Sequence, residues 1–126
     1  MKFRYVVTSA LFALVMSAAN AVTVKPYSEK ALADAQKAGD PVAVHFHAEW
    51  CGTCKKQESV INALKADKTL KMTVFIADYD KDNALKQRFK VLKQSTLVVL
   101  RGDEERARVL GDTNEKNIRQ ALERAL

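Results

Sequence analysis

The sequence predicts an α/β domain built on a central mixed sheet with helices on both faces. Three observations point there. Strand-like and helix-like segments alternate in the order βαβαβαββα between Val22 and Leu126. The crossovers in the first half are long enough to return successive strands in parallel. Gly102-Asp103 then marks a tight turn between two strand-like runs, which closes the sheet with an antiparallel hairpin.

Each element has a local cause. Val22 to Lys25 alternates weakly and reads as a short edge strand ending at Pro26. Ser28 is placed to cap a helix running to about Lys37, with Leu32 and Ala35 inward and Gly39 as its stop. Pro41 to His47 alternates as a strand, with Val42, Val44 and Phe46 on one face and Ala43, His45 and His47 on the other. A second helix starts near Cys51, carries Val60, Ile61 and Leu64 at helical spacing, and ends near Asp67. Met72 to Ala77 is apolar and β-branched enough for a buried strand. Asp82 to Phe89 predicts a short helix, Thr96 to Leu100 another buried strand, and Arg106 to Leu110 its hairpin partner. Thr113 is the expected cap of a last helix whose Ile118, Ala121, Leu122 and Ala125 form one apolar stripe.

Residues 1–21 have the pattern of a secretory signal. Lys2 and Arg4 precede an uncharged apolar run from Tyr5 to Ala19, and Ala19-Asn20-Ala21 offers small residues for cleavage before Val22. The run is shorter than the ~20 residues of a spanning helix, so no membrane anchor is expected after cleavage. Residues 22–126 then form one domain in a periplasmic or secreted setting. Without Lys2 and Arg4 the 21 basic residues fall to 19, against 15 acidic ones. That surplus is spread along the chain with no basic, aromatic-interleaved stripe, which argues against nucleic acid as a partner.

Cys51 and Cys54, the chain's two cysteines, sit three positions apart where a strand gives way to a helix. A helix opening presents unpaired amides and the positive end of the macrodipole, both of which favour a thiolate. The thiolate is the species that attacks disulfides. As a structural staple the pair is weak, because so small a loop removes little entropy from the unfolded chain. A dithiol/disulfide redox centre is the better reading.

The residues around this pair resemble those of a known family. Phe46-His47-Ala48-Glu49-Trp50-Cys51-Gly52-Thr53-Cys54-Lys55 is similar to the active-site segment of thioredoxins, typically F-W-A-E-W-C-G-P-C-K. Asp78-Tyr79-Asp80 resembles the acidic end of the third thioredoxin strand, and Ser95-Thr96-Leu97-Val98-Val99-Leu100 resembles the P-T-L-L-L-F strand. Gly111 falls where a glycine precedes the last helix. The resemblance spans about residues 24–126, and Gly39-Asp40-Pro41-Val42 is more like exported members of bacterial disulfide relays. It implies a thioredoxin-like fold and a protein-disulfide oxidoreductase that uses its own disulfide and no bound cofactor.

The resemblance also assigns roles. Cys51 is the attacking sulfur and Cys54 the resolving one. Trp50, Gly52, Thr53, Gln94 and Ser95 form the substrate-binding rim, with Trp50 either covering the sulfurs or serving as a core aromatic. Lys55 and Lys56 are read as solvated surface lysines. The implied partners are cysteine-containing proteins, with a membrane electron relay as a candidate source of electrons, and Gly52-Thr53 resembles reducing members more than oxidising ones.

Four positions depart from the family pattern. Thr53 stands in place of proline, His45 in place of a buried aspartate, His47 in place of an aromatic, and Ser95 in place of a cis-proline. A cis bond before a non-proline residue costs about 2.5–4 kcal/mol, so the Gln94–Ser95 bond is expected to be trans. His45 is expected behind Cys54, taking its proton with an imidazole that titrates near neutrality. Two other classes remain open. Zn or Cu(I) could be bound by Cys51, Cys54 and the nearby histidines, although His45 and His47 stand about 6–7 Å apart by strand rise. A redox-silent binding module on the same scaffold is the third reading, which two intact cysteines disfavour.

Overall fold

A computed structural model describes residues 21–126. The signal expected over residues 1–21 lies, but for Ala21, outside the described residues. Nine regular elements follow in the expected order: β1 (Val22–Pro26), α1 (Glu29–Ala38), β2 (Pro41–His47), α2 (Gly52–Ala63), β3 (Met72–Asp78), α3 (Asn83–Arg88), β4 (Thr96–Arg101), β5 (Glu104–Leu110) and α4 (Glu115–Glu123). A 3₁₀ turn over Leu64–Ala66 carries α2 on to Asp67. Among the described residues no helix is long and apolar enough to cross a membrane.

The sheet runs β1-β3-β2-β4-β5, with β1 and β2 parallel to β3 and with β4 antiparallel to both β2 and β5. The two-residue period of β2 sorts its side chains onto two cores. Val42, Val44 and Phe46 pack with Leu32 of α1 and Leu85 of α3, whereas Ala43 packs with Ile61 of α2 and with Ile118 and Leu122 of α4. Each fully buried aliphatic or aromatic side chain contributes roughly 1.5–3 kcal/mol of transfer free energy. That gain anchors helices on both faces and holds the middle of the sheet dry.

Helix ends follow local chemistry. Ser28 Oγ accepts the amide of Ala31, and Gly39 closes α1 in the left-handed region at φ 73. The sequence places the cap of α4 at Thr113; the structure places it at Asn114, whose Oδ1 accepts the Asn117 amide at 3.1 Å. Asp112 accounts for the shift. Its Oδ1 accepts the Asn114 amide at 2.8 Å, which turns the chain one residue later than expected.

Candidate active site

Two elements of the sheet converge on the sulfurs. β2 ends at His47 and leads through Ala48 to Cys51, which is the N-cap of α2. β4 runs antiparallel beside β2 with Phe46 opposite Thr96, so Ser95 arrives at the same end of the sheet. Cys51 and Cys54 are disulfide-bonded, with Cα atoms 5.3 Å apart. The amide of Cys54 donates to Cys51 Sγ at 3.1 Å, the helix-mouth contact anticipated from sequence. Cys54 is wholly buried, while Cys51 keeps a sliver of exposed surface.

Ser95 faces the pair directly. Its Oγ lies 3.1 Å from Cys51 Sγ and 3.1 Å from Cys54 Sγ. The bond preceding it is trans, as expected, since no peptide among the described residues is cis. The residue instead adopts φ 61, a region that L side chains enter at a cost of about 1–2 kcal/mol. Three hydrogen bonds hold it there. The Ser95 amide donates to Phe46 O at 3.1 Å, and Ser95 O accepts from the Gly111 amide at 2.9 Å and from Gln57 Nε2 at 3.1 Å.

Gln57 was not singled out by sequence, although a signal was present. Cys54, Gln57 and Ile61 share the buried face of α2, and a carboxamide on an apolar stripe requires partners. It finds three: Nε2 donates to Ser95 O and to Asp112 O, and Oε1 lies 2.9 Å from His45 Nε2. Because both amide protons face carbonyls, Oε1 must accept, and His45 carries its proton on Nε2.

His45 therefore differs from the near-neutral base expected behind Cys54. It is fully buried, its hydrogen bond goes to Gln57, and among the described residues Nδ1 has no partner. Burial pushes its pKa down to about 4, aided by nearby His47 and opposed by the Gln57 hydrogen bond. At pH 7 the ring is neutral and a weak base. His47 lies beside it at 5.9 Å between ring centroids, with Nε2 3.2 Å from Glu58 Oε2. Among the described residues no three His, Cys, Asp or Glu side chains are grouped as a metal site.

The other rim residues lie at the surface. Trp50 is 62 % exposed and donates from Nε1 to Asp80 Oδ2 at 2.8 Å, which corrects the core-aromatic alternative. Gly52, Thr53, Lys55 and Lys56 are exposed. Thr53, Gln94 and Ser95 border a groove of ≈520 Å³ whose walls also include the exposed Leu92 and Leu110. Neither leucine was marked from sequence, where Leu110 only ended the hairpin strand.

Comparison with known proteins agrees with this geometry. The thioredoxin family pattern matches residues 20–124. Thioredoxin-1 of Drosophila yakuba is 35% identical over 75 residues, covering 60% of this chain and 70% of that protein. A thioredoxin of Staphylococcus saprophyticus is 30% identical over 83 residues, covering 66% and 80% respectively. Among solved structures, Trxlp from Edwardsiella tarda EIB202 superposes with a TM-score of 0.76 at 37% identity, over 79% of this chain and 98% of that one. Family, fold and the paired cysteines agree: the chain belongs to the thioredoxin family and is a thiol–disulfide oxidoreductase.

Proposed function

We propose that this protein reduces disulfides of cysteine-containing proteins outside the cytoplasm, in the periplasm or after secretion, with a membrane electron relay returning it to the dithiol. The observation that carries the exchange chemistry is Cys51 Sγ at the mouth of α2, receiving the Cys54 amide at 3.1 Å. In the dithiol form the same amide meets a thiolate, and hydrogen bonds to charge are the stronger kind.

In the reductive direction the Cys51 thiolate attacks one sulfur of a substrate disulfide. A mixed disulfide forms, and the other substrate sulfur leaves with the electron pair. Cys54 then attacks Cys51 Sγ, closing the internal disulfide and freeing the second substrate sulfur. Two electrons have passed to the substrate, so the cycle needs an external dithiol to restore Cys51 and Cys54. The groove beside Ser95 suits an extended substrate segment, which its exposed leucines and the Trp50 face would hold.

Export is supported by the leader pattern over residues 1–21. The reductive direction is supported by Gly52-Thr53, which resembles reducing members. Equilibration with glutathione buffers tests direction: a potential near the thioredoxin range of about −270 mV supports a reductase, and one near −120 mV supports an oxidant. The N-terminus of the protein recovered from cell fractions tests export. An intact Met1 in the cytosolic fraction overturns it. In exchange assays Cys51→Ala abolishes turnover and Cys54→Ala accumulates mixed disulfides.

A further inference from the structure

Ser95 supports an inference that deepens the dithiol–disulfide reading and rests on it. Its Oγ is 3.1 Å from each sulfur, and the residue is 3 % exposed, so bulk water is largely kept from the hydroxyl. Its backbone is pinned at φ 61 by Phe46 O, the Gly111 amide and Gln57 Nε2. Glycine would occupy that conformation without strain. Serine brings a single rotatable O–H, equidistant from the two atoms that exchange charge during turnover.

We propose that the Ser95 hydroxyl is a catalytic group that donates to whichever sulfur is ionised: Cys51 in the free dithiol, Cys54 in the mixed disulfide. In the dithiol, Oγ–H points at the Cys51 thiolate beside the Cys54 amide. The Cys54 S–H donates to Oγ or to Phe46 O, 3.8 Å away. Attack by Cys51 forms the bond to one substrate sulfur and expels the other as thiolate, which removes the charge from Cys51. Cys54 then yields its proton to the departed thiolate or to water, and Oγ–H rotates to the new charge. The Cys54 thiolate attacks Cys51 Sγ, the internal disulfide closes, and the second substrate sulfur leaves with its electron pair. Ser95 is neither oxidised nor deprotonated.

Among the described residues no other side chain hydrogen-bonds either sulfur. Tyr79, after β3, packs against Cys51 and Cys54; Glu49, Lys55 and Lys56 flank them in sequence, and His45 stands on β2. Tyr79 donates its hydroxyl to Leu92 O instead.

The test compares the wild-type protein with Ser95→Ala and Ser95→Gly, both without the hydroxyl but opposite in backbone preference. The pH midpoint of Cys51 alkylation is followed on the reduced proteins by peptide mass, and mixed-disulfide resolution by single-turnover mixing. A hydrogen bond to charge is worth about tenfold or more, so both variants should raise the midpoint by about one unit and slow resolution about tenfold. Their urea midpoints should diverge, glycine being the more stable. A wild-type midpoint in both variants overturns the proposal, and so does a midpoint that follows stability instead of the hydroxyl. Alkylation needs no substrate. Failure of the wild-type protein to exchange with protein disulfides would therefore sink the functional reading separately.

Discussion

Gln57 Nε2 donates to Ser95 O across 3.1 Å, tying the segment before β4 to the helix that carries both sulfurs. The same carboxamide donates to Asp112 O at 2.9 Å and accepts from His45 Nε2 at 2.9 Å, so one side chain fixes the start of β4, the approach to α4 and the buried imidazole of β2. Ser95 O retains the Gly111 amide if Gln57 is lost, but Asp112 O and His45 Nε2 lose the partner that Gln57 supplies.

Gln57→Leu should therefore destabilise the domain by about 2–4 kcal/mol, since each buried group left unpaired costs about 1–3 kcal/mol. Urea denaturation of the oxidised protein measures this. A change below about 0.5 kcal/mol, the scale of an ordinary surface substitution, would mean that the network contributes nothing.

His45 gives the domain a pH-dependent stability. Its folded pKa, lowered by burial to about 4, lies below the ordinary imidazole value of 6.5. The unfolded chain thus binds the proton more readily, and stability present above pH 6.5 is lost as pH falls toward 4. The loss amounts to about 3 kcal/mol across that window. The urea midpoint should drop between pH 7 and pH 5, and the His45 ring resonances should not titrate between those values. Resolution of mixed disulfides should likewise show no imidazole inflection from pH 6 to 8. An inflection near 6.5 that disappears in His45→Asn would restore the proton-transfer role expected from sequence.

What could be read from the sequence was whatever short-range chemistry determines. The alternation of Val42, Val44 and Phe46 against Ala43, His45 and His47 gave both faces of β2, and Gly39 gave the end of α1. Cys51 at the opening of α2 followed from its place between strand and helix. The contacts of Ser95 and Gln57 depend on the antiparallel register of β2 and β4 and on the turn at Asp112, which no local pattern encodes. The His45 environment was missed for the same reason. Its partner lies twelve residues away on another element, and the depth of burial, not the residue type, sets its titration. The cap at Asn114 was missed because two adjacent residues could each cap, and the Asp112 side chain decided between them.

The groove makes a separate prediction. Leu92 is 86% exposed and Leu110 69% exposed, beside Lys90 and Lys93 on the same concave surface. Apolar side chains that bright to solvent gain by covering a partner. The double variant Leu92→Asp with Leu110→Asp should lower kcat/KM on a protein disulfide at least about tenfold, the loss expected when ~1.4 kcal/mol of apolar burial is removed. A small aromatic disulfide should lose much less. Equal losses for both substrates would show that the groove does not hold the polypeptide.

Gly52 separates the demands of the fold from those of exchange. A Cβ built there meets nothing within 4 Å, and the backbone is not in the left-handed region. Gly39 also has open space, but its φ of +73 requires glycine on conformational grounds. Gly39→Ala should therefore cost about 1–2 kcal/mol. Gly52→Ala, in the first turn of α2, should gain about 0.5–1 kcal/mol from reduced unfolded-state entropy and better helix propensity. The fold gives no reason for glycine beside Cys51, whereas the proposed substrate rim supplies one. On that proposed rim, a methyl group on the exposed turn would meet an incoming chain. Gly52→Ala should then melt higher while exchanging more slowly with protein disulfides, and a variant that gains stability at full rate would remove Gly52 from the substrate rim.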